Sequence, residues 1–175
     1  MKKTLGYTLV VLGLLAATAH ADKASEAETF FLSRIAPPPD CLLKIQLELN
    51  GDDYPETLLT LNSFRNGRAG HSWQVFAGTK HAFLQTDTII SFRTDAVYAG
   101  YIDEIMGKGL LAYFPASSSE GSLVAYQLKK TSIIETNLGL IQPQAADAAK
   151  YNKYFQKSNV SIIKRPVNGG TCAGS

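Results

Sequence analysis

The chain predicts an α+β fold, mostly an antiparallel β meander or small barrel with an N-terminal and a C-terminal helix. Three observations carry that expectation. Short runs of alternating apolar and polar residues recur at roughly ten-residue spacing with turn residues between them, the pattern of neighbouring antiparallel strands. A Ser25-Glu26-Ala27-Glu28 box precedes two phenylalanines, and in such a box the Ser and Glu side chains satisfy each other's backbone amides at a helix start. Beyond Pro143, the residues Ala145, Ala148, Tyr151 and Phe155 fall on one face at helical spacing.

The elements follow in order. Lys2 and Lys3, an apolar run over residues 8–17 and the small-x-small site Ala19-His20-Ala21 form a secretory signal of bacterial type. The run is shorter than the roughly 20 residues a membrane anchor needs, and no cysteine follows it for lipid attachment. Residues 1–21 are therefore expected to be removed, leaving 22–175 as a single α+β domain, periplasmic or secreted, without a membrane span. A chain of about 150 residues suffices for one core.

A helix is expected to about Arg34, with Phe30, Phe31 and Ile35 facing inward, and Pro37-Pro38-Pro39 ends it. Strands are expected at 42–49 and 56–61, with Leu43, Ile45, Leu47 and Leu49 on one face. Further strands are read at 72–77, 81–85 and 88–93, separated by short turns at 78–80 and 86–87. Strands at 110–114, 123–128 and 132–137 continue the pattern; a helix over 143–158 and a last strand over 160–164 complete it. No repeat is visible, which removes a propeller.

Setting aside Lys2 and Lys3 leaves basic and acidic residues in balance, and no basic stripe exists to attract nucleic acid. The two cysteines, Cys41 and Cys172, are expected to form a disulfide in an oxidising compartment. It would close a loop of about 130 residues, nominally worth 4–5 kcal/mol. The other reading, a thiolate nucleophile, lacks a neighbouring histidine in sequence. His71 and His81 show no zinc-ligand spacing with each other or with the cysteines.

The most specific local signal is Glu48-Leu49-Asn50-Gly51-Asp52-Asp53-Tyr54-Pro55-Glu56, which sets oxygen-bearing side chains around a polar turn between two apolar runs. Calcium takes six to eight such oxygens at loose distances. The stretch resembles a single degenerate calcium loop of the EF-hand, dockerin and FG-GAP (VCBS) type. That resemblance implies Glu48, Asn50, Asp52, the Tyr54 carbonyl and Glu56 as ligands of a structural calcium ion. Glu48 stands where those loops carry Asp, and Asp53 where they carry Gly. The same residues also read as an Asn-Gly hairpin turn with solvated charges.

The polar connection over 62–73 holds Arg65, Arg68, His71 and Trp73, residue types that interfaces favour as anchors; it also reads as an exposed hairpin end. No nucleophile, base and orienter pattern appears, so no catalytic residue is assigned. The function expected is that of a non-enzymatic periplasmic or secreted binding protein, an inhibitor or immunity protein against a cell-envelope hydrolase. An alternative is an envelope glycan (peptidoglycan)-binding module using Trp73, Tyr98, Tyr101 and Tyr113. Another is an unrecognised hydrolase drawing on Asp103, Glu104 and Glu120.

Overall fold

The alternating runs become nine strands in two antiparallel sheets in a computed structural model that describes residues 23–156 and 159–172. The secretory signal expected over 1–21, and positions 157–158 of the expected second helix, lie outside those residues. The first sheet has the order β4-β3-β2-β1-β9, comprising β1 (Asp40–Leu47), β2 (Glu56–Leu61), β3 (His71–Gly78), β4 (Phe83–Phe92) and β9 (Ile163–Val167). The second has the order β5-β6-β7-β8, comprising β5 (Val97–Ile102), β6 (Gly107–Pro115), β7 (Gly121–Lys129) and β8 (Ser132–Ile141). Each sheet is a four-strand meander, and β9 returns to pair with β1. The two sheets stay separate, so the barrel half of the expectation is corrected to two packed sheets.

Residues 23–35 form helix α1 and Ala148–Phe155 form α2. Side-chain alternation divides the strands between three apolar clusters. Leu43, Ile45, Leu58, Trp73, Val75, Ile90 and Phe92 of the first sheet meet Val97, Leu110, Ala112, Val124 and Tyr126 of the second. The opposite face of the first sheet, with Leu42, Leu59, Leu61 and Phe76, packs on Ala27 and Phe31 of α1. The opposite face of the second, with Leu111, Leu123 and Ala125, packs on Tyr154 and Phe155 of α2. The layers are therefore helix, sheet, sheet, helix. A strand covered on both faces cannot alternate with water, and β2 is buried at every position. Among the described residues no helix is long and apolar enough to cross a membrane.

β5 is not among the expected strands, and several strand ends are shifted; four further differences have a local reason. The turn expected at 86–87 is absent: β4 runs through it with a register shift, and the buried Thr86 hydroxyl donates to the carbonyls of Val75 and Thr88. The irregularity thus absorbs the two residues that composition marks as a turn. Helix α1 is already formed at residue 23, so Ser25 is an interior position whose carbonyl accepts from the Thr29 hydroxyl. Helix α2 begins at Ala148, not Pro143, because the Asp147 carboxylate accepts from the Gln142 amide and holds 142–147 as turns. The last strand is displaced to Ile163–Val167, where Pro166 lies opposite Cys41, an edge position that needs no inward amide.

Cys41 and Cys172 are bonded, tying the tail to β1 across a sequence separation of 131. At the β5 edge of the second sheet, the Asn159 side chain accepts from the Ala99 amide at 3.0 Å and donates to the Ala99 carbonyl.

Gly70 shows how tightly the connection before β3 is drawn in. Its φ is +85°, and a Cβ there would lie 2.3 Å from the Phe92 carbonyl oxygen. Gly70→Ala therefore combines left-handed strain with a backbone clash, and is expected to lower stability by about 2 kcal/mol or more. Thermal melts of the variant check this against Gly67→Ala, where an added Cβ meets nothing within 4 Å.

Candidate functional site

The acidic turn between β1 and β2 is built by short-range hydrogen bonds. Asn50 Oδ1 accepts from the Asp52 amide, and Asp52 Oδ1 accepts from the Tyr54 amide, both at 2.9 Å. These are Asx turns, the reason Asn and Asp dominate such loops. Gly51 has φ +87° and Asp53 has φ +66°, so Asp53 does adopt the left-handed backbone that glycine reaches without strain. Glu48 accepts from the amides of Asn50 and Gly51 and forms an ion pair with Lys108 of β6. Partial burial pushes its carboxyl up, but Lys108 and the two amides outweigh this and hold it below the usual value.

Glu56 is the unusual member. It is 0% exposed, and its Oε2 accepts from the Leu49 amide at 2.6 Å. The Asn50 side-chain amide donates to Glu56 Oε1 at 3.3 Å and to Asp52 Oδ2 at 2.9 Å. Burial, with the charges of Asp52 and Glu48 adding to it, raises the Glu56 carboxyl from 4.5 to about 8, although the Leu49 amide opposes this. Two carboxylates thus converge on one amide group. The donor chemistry is all oxygen and suits calcium, with Asn50 presenting its nitrogen side to the pair. Among the described residues no group of three or more His, Cys, Asp or Glu is gathered as a metal site. The Tyr54 carbonyl, expected as a ligand, lies against Gly78, where a Cβ would come within 2.9 Å of it.

The second constellation is the connection between β2 and β3. Instead of an open polar hairpin end, it is a tight hook: the Asn66 amide donates to the Gly70 carbonyl at 2.6 Å, the Ser72 amide donates to Phe64, and Arg65 bridges His71. A 3-10 turn at Gly67–Ala69 closes it. Arg68 is not a free anchor; its Nη1 donates to the Ala116 carbonyl at 2.9 Å, joining the hook to the β6–β7 hairpin. Trp73 is not a surface residue either. It is 0% exposed and stacks on Phe92 with centroids 5.0 Å apart, so its place in the partner surface and in the glycan reading is corrected to a core role. Its indole N–H has no partner among the described residues.

Arg65 and His71 remain, and they share a cleft. A cavity of about 340 Å³ is lined by Arg65, His71, Arg93, Thr94 and Asp95. A second, of about 180 Å³, shares Arg65, His71 and Thr94 with it and reaches the disulfide. His71 is 8% exposed and its Nε2 has no hydrogen-bond partner. Its bond to the Asn62 carbonyl therefore uses Nδ1. Burial, then the Arg65 charge, lowers its pKa, keeping the ring neutral. The Arg65 side chain makes no hydrogen bond or ion pair among the described residues. Arg93 is spent on Asp95, gripped by Nε at 2.9 Å and Nη2 at 2.5 Å; that grip holds the Asp95 carboxyl below its usual value.

Two of the three acids considered for hydrolysis contact α2. Asp103 pairs with Lys153, while Glu104 accepts from the Tyr154 hydroxyl at 2.7 Å and pairs with Lys150 at 3.2 Å. Glu120 closes the β6–β7 hairpin through its backbone. Tyr98 packs on Tyr154, whereas Tyr101 is exposed and Tyr113 packs edge-on against Tyr151. Sequence reasoning missed the Arg93-Thr94-Asp95 turn; its signal was an opposite-charge pair two residues apart between two apolar runs. No family model matches the chain, and neither a curated protein nor a solved structure matches it.

Proposed function

We propose that this chain is a non-enzymatic binding protein of the periplasm or extracellular space, which receives an acidic group of a cell-envelope protein in the Arg65–His71 cleft. Inhibition of, or immunity against, an envelope hydrolase is the activity this serves, and calcium at the acidic turn is structural. The observation that carries the reading is the Arg65 guanidinium, unpaired among the described residues, at a cavity also lined by buried His71, whose Nε2 has no partner there. An arginine without an internal partner is a ready bidentate donor for a carboxylate. The Cys41–Cys172 bond suits an oxidising compartment. Asp52 and Glu56, converging on the Asn50 amide, supply two carboxylates for the ion, and rotation of that amide supplies a third oxygen.

The test separates Arg65 from Arg68. Arg65→Glu is expected to weaken a captured envelope partner about tenfold or more with an unchanged melting temperature. Arg68→Glu should lower the melting temperature by loss of the Ala116 bond. Affinities measured by calorimetry decide it: binding unaffected by Arg65→Glu removes the cleft as the contact.

A further inference from the structure

We infer that the cavity between the β6–β7 hairpin and the start of α2 binds one neutral sugar ring, at a site separate from the Arg65–His71 cleft. The cavity measures about 340 Å³, within the size range of small-ligand pockets. No charged residue lines it; its walls are tyrosine, serine, proline, glutamine and asparagine. Tyr113 and Tyr151, in edge-to-face contact with centroids 5.1 Å apart, form one side of it. Neither phenol hydroxyl has a hydrogen-bond partner among the described residues. The same holds for the side chains of Ser118, Gln144 and Asn152, so five neutral donor–acceptor groups converge on one space with two aromatic rings. A pyranose presents this combination in complement. Its hydroxyls both donate and accept, and its C–H faces pack on aromatic rings.

The walls are held before any ligand arrives, which limits the entropy cost of binding. Tyr113 lies against Gly121, where a Cβ would fall 2.6 Å from the ring, so glycine is needed for that pose. The hairpin loop is closed by the Ser117 hydroxyl, which accepts from the amides of Ser119 and Glu120, and by the amides of Ala116 and Ser117, which donate to the Glu120 carbonyl. The opposite lip is pinned by the paired bonds between Gln142 and Asp147. Burial raises both phenol pKa values, so both hydroxyls stay available as donors. Tyr151 and Glu120 also push the Tyr113 phenol up and Asp95 pushes the Tyr151 phenol up, while Arg93 opposes both. A carboxylate or phosphate finds no countercharge here, and a purely apolar ligand would strand the amides.

Amide NMR spectra of the mature protein, titrated with an N-acetylglucosamine trimer, with cellotriose and with triglycine, test the site. The expected result is a set of saturable shifts with one or both sugars, centred on 117–118, 144 and 151–152 and absent with triglycine. Gln144→Ala combined with Asn152→Ala alters only exposed side chains. It is expected to weaken sugar binding tenfold or more at an unchanged melting temperature, and Tyr151→Ala should abolish it. Equal shifts with triglycine, shifts centred elsewhere, or full sugar affinity in the double variant would each overturn the assignment. Because Arg65 lies outside this cavity, loss of the sugar site leaves the cleft reading standing.

Discussion

Raising the pH from about 5 to about 9 is expected to destabilise this protein, and Glu56→Gln to remove most of that dependence. A carboxyl whose folded value lies near 8 against 4.5 favours the folded state fully below the lower value. That contribution disappears as the pH climbs through the upper one. A displacement of this size corresponds to about 5 kcal/mol, because a charge would have to be held in a 0% exposed position beside Asp52. His71 works in the opposite direction: its lowered value means that stability is lost as the pH falls through about 6.5. The difference between wild type and variant therefore isolates Glu56. Gln at 56 keeps an acceptor for the Leu49 amide without the charge, so the variant should melt above wild type in alkali. Calcium enters the same experiment, because an ion needs the ionised carboxylate. Its stabilisation should grow with pH, reach about 2.7 kcal/mol at a hundredfold excess over Kd, and vanish in Glu56→Gln and Asp52→Ala. Parallel melting of wild type and Glu56→Gln across the range would refute the buried acid; a wild-type midpoint indifferent to calcium at high pH would reduce the turn to an ordinary hairpin.

Removing the Cys41–Cys172 bond is expected to be nearly as severe. The bond spans 131 residues, and a loop of that order restricts the unfolded chain by about 4–5 kcal/mol, with measured values often nearer 3. The loss should be felt first at β9, which pairs with β1 alone through Asp40–Lys44. Denaturant midpoints of the oxidised protein and of Cys41→Ser/Cys172→Ser, at equal slope, measure it. Equal midpoints would show that β9 docks without its tether.

The strands and their faces were largely legible because alternation is physical: Leu43, Ile45, Leu47 and Leu49 were marked for one side by their spacing alone, and they meet in one cluster. What misled was local chemistry redirected by a distant partner. Thr86 has the composition of a turn, but its hydroxyl finds the Val75 carbonyl of the neighbouring strand. Trp73 and Arg68 looked like interface residues, yet one stacks on Phe92 and the other bonds Ala116, contacts no one-dimensional pattern contains. The acidic turn was legible as a cluster of oxygens. That Glu56 would be sealed inside it was not, since burial depends on β2 being covered on both faces. Tyr113 and Tyr151 lie far apart in the chain, and only the docking of α2 on the second sheet makes them neighbours.

The Asn159 side chain on β5 has a colloidal consequence. An unpaired strand edge is a template on which another copy of the same chain can add itself, and proteins blunt such edges by charge, by twist or by cover. Here a single amide, whose oxygen and nitrogen reproduce the acceptor and donor of a peptide group, occupies both backbone valences of Ala99. It acts as a strand one residue long. A newcomer to this edge would have to displace it before gaining a pair of ladder bonds at Ala99, so Asn159 guards the β5 edge against growth.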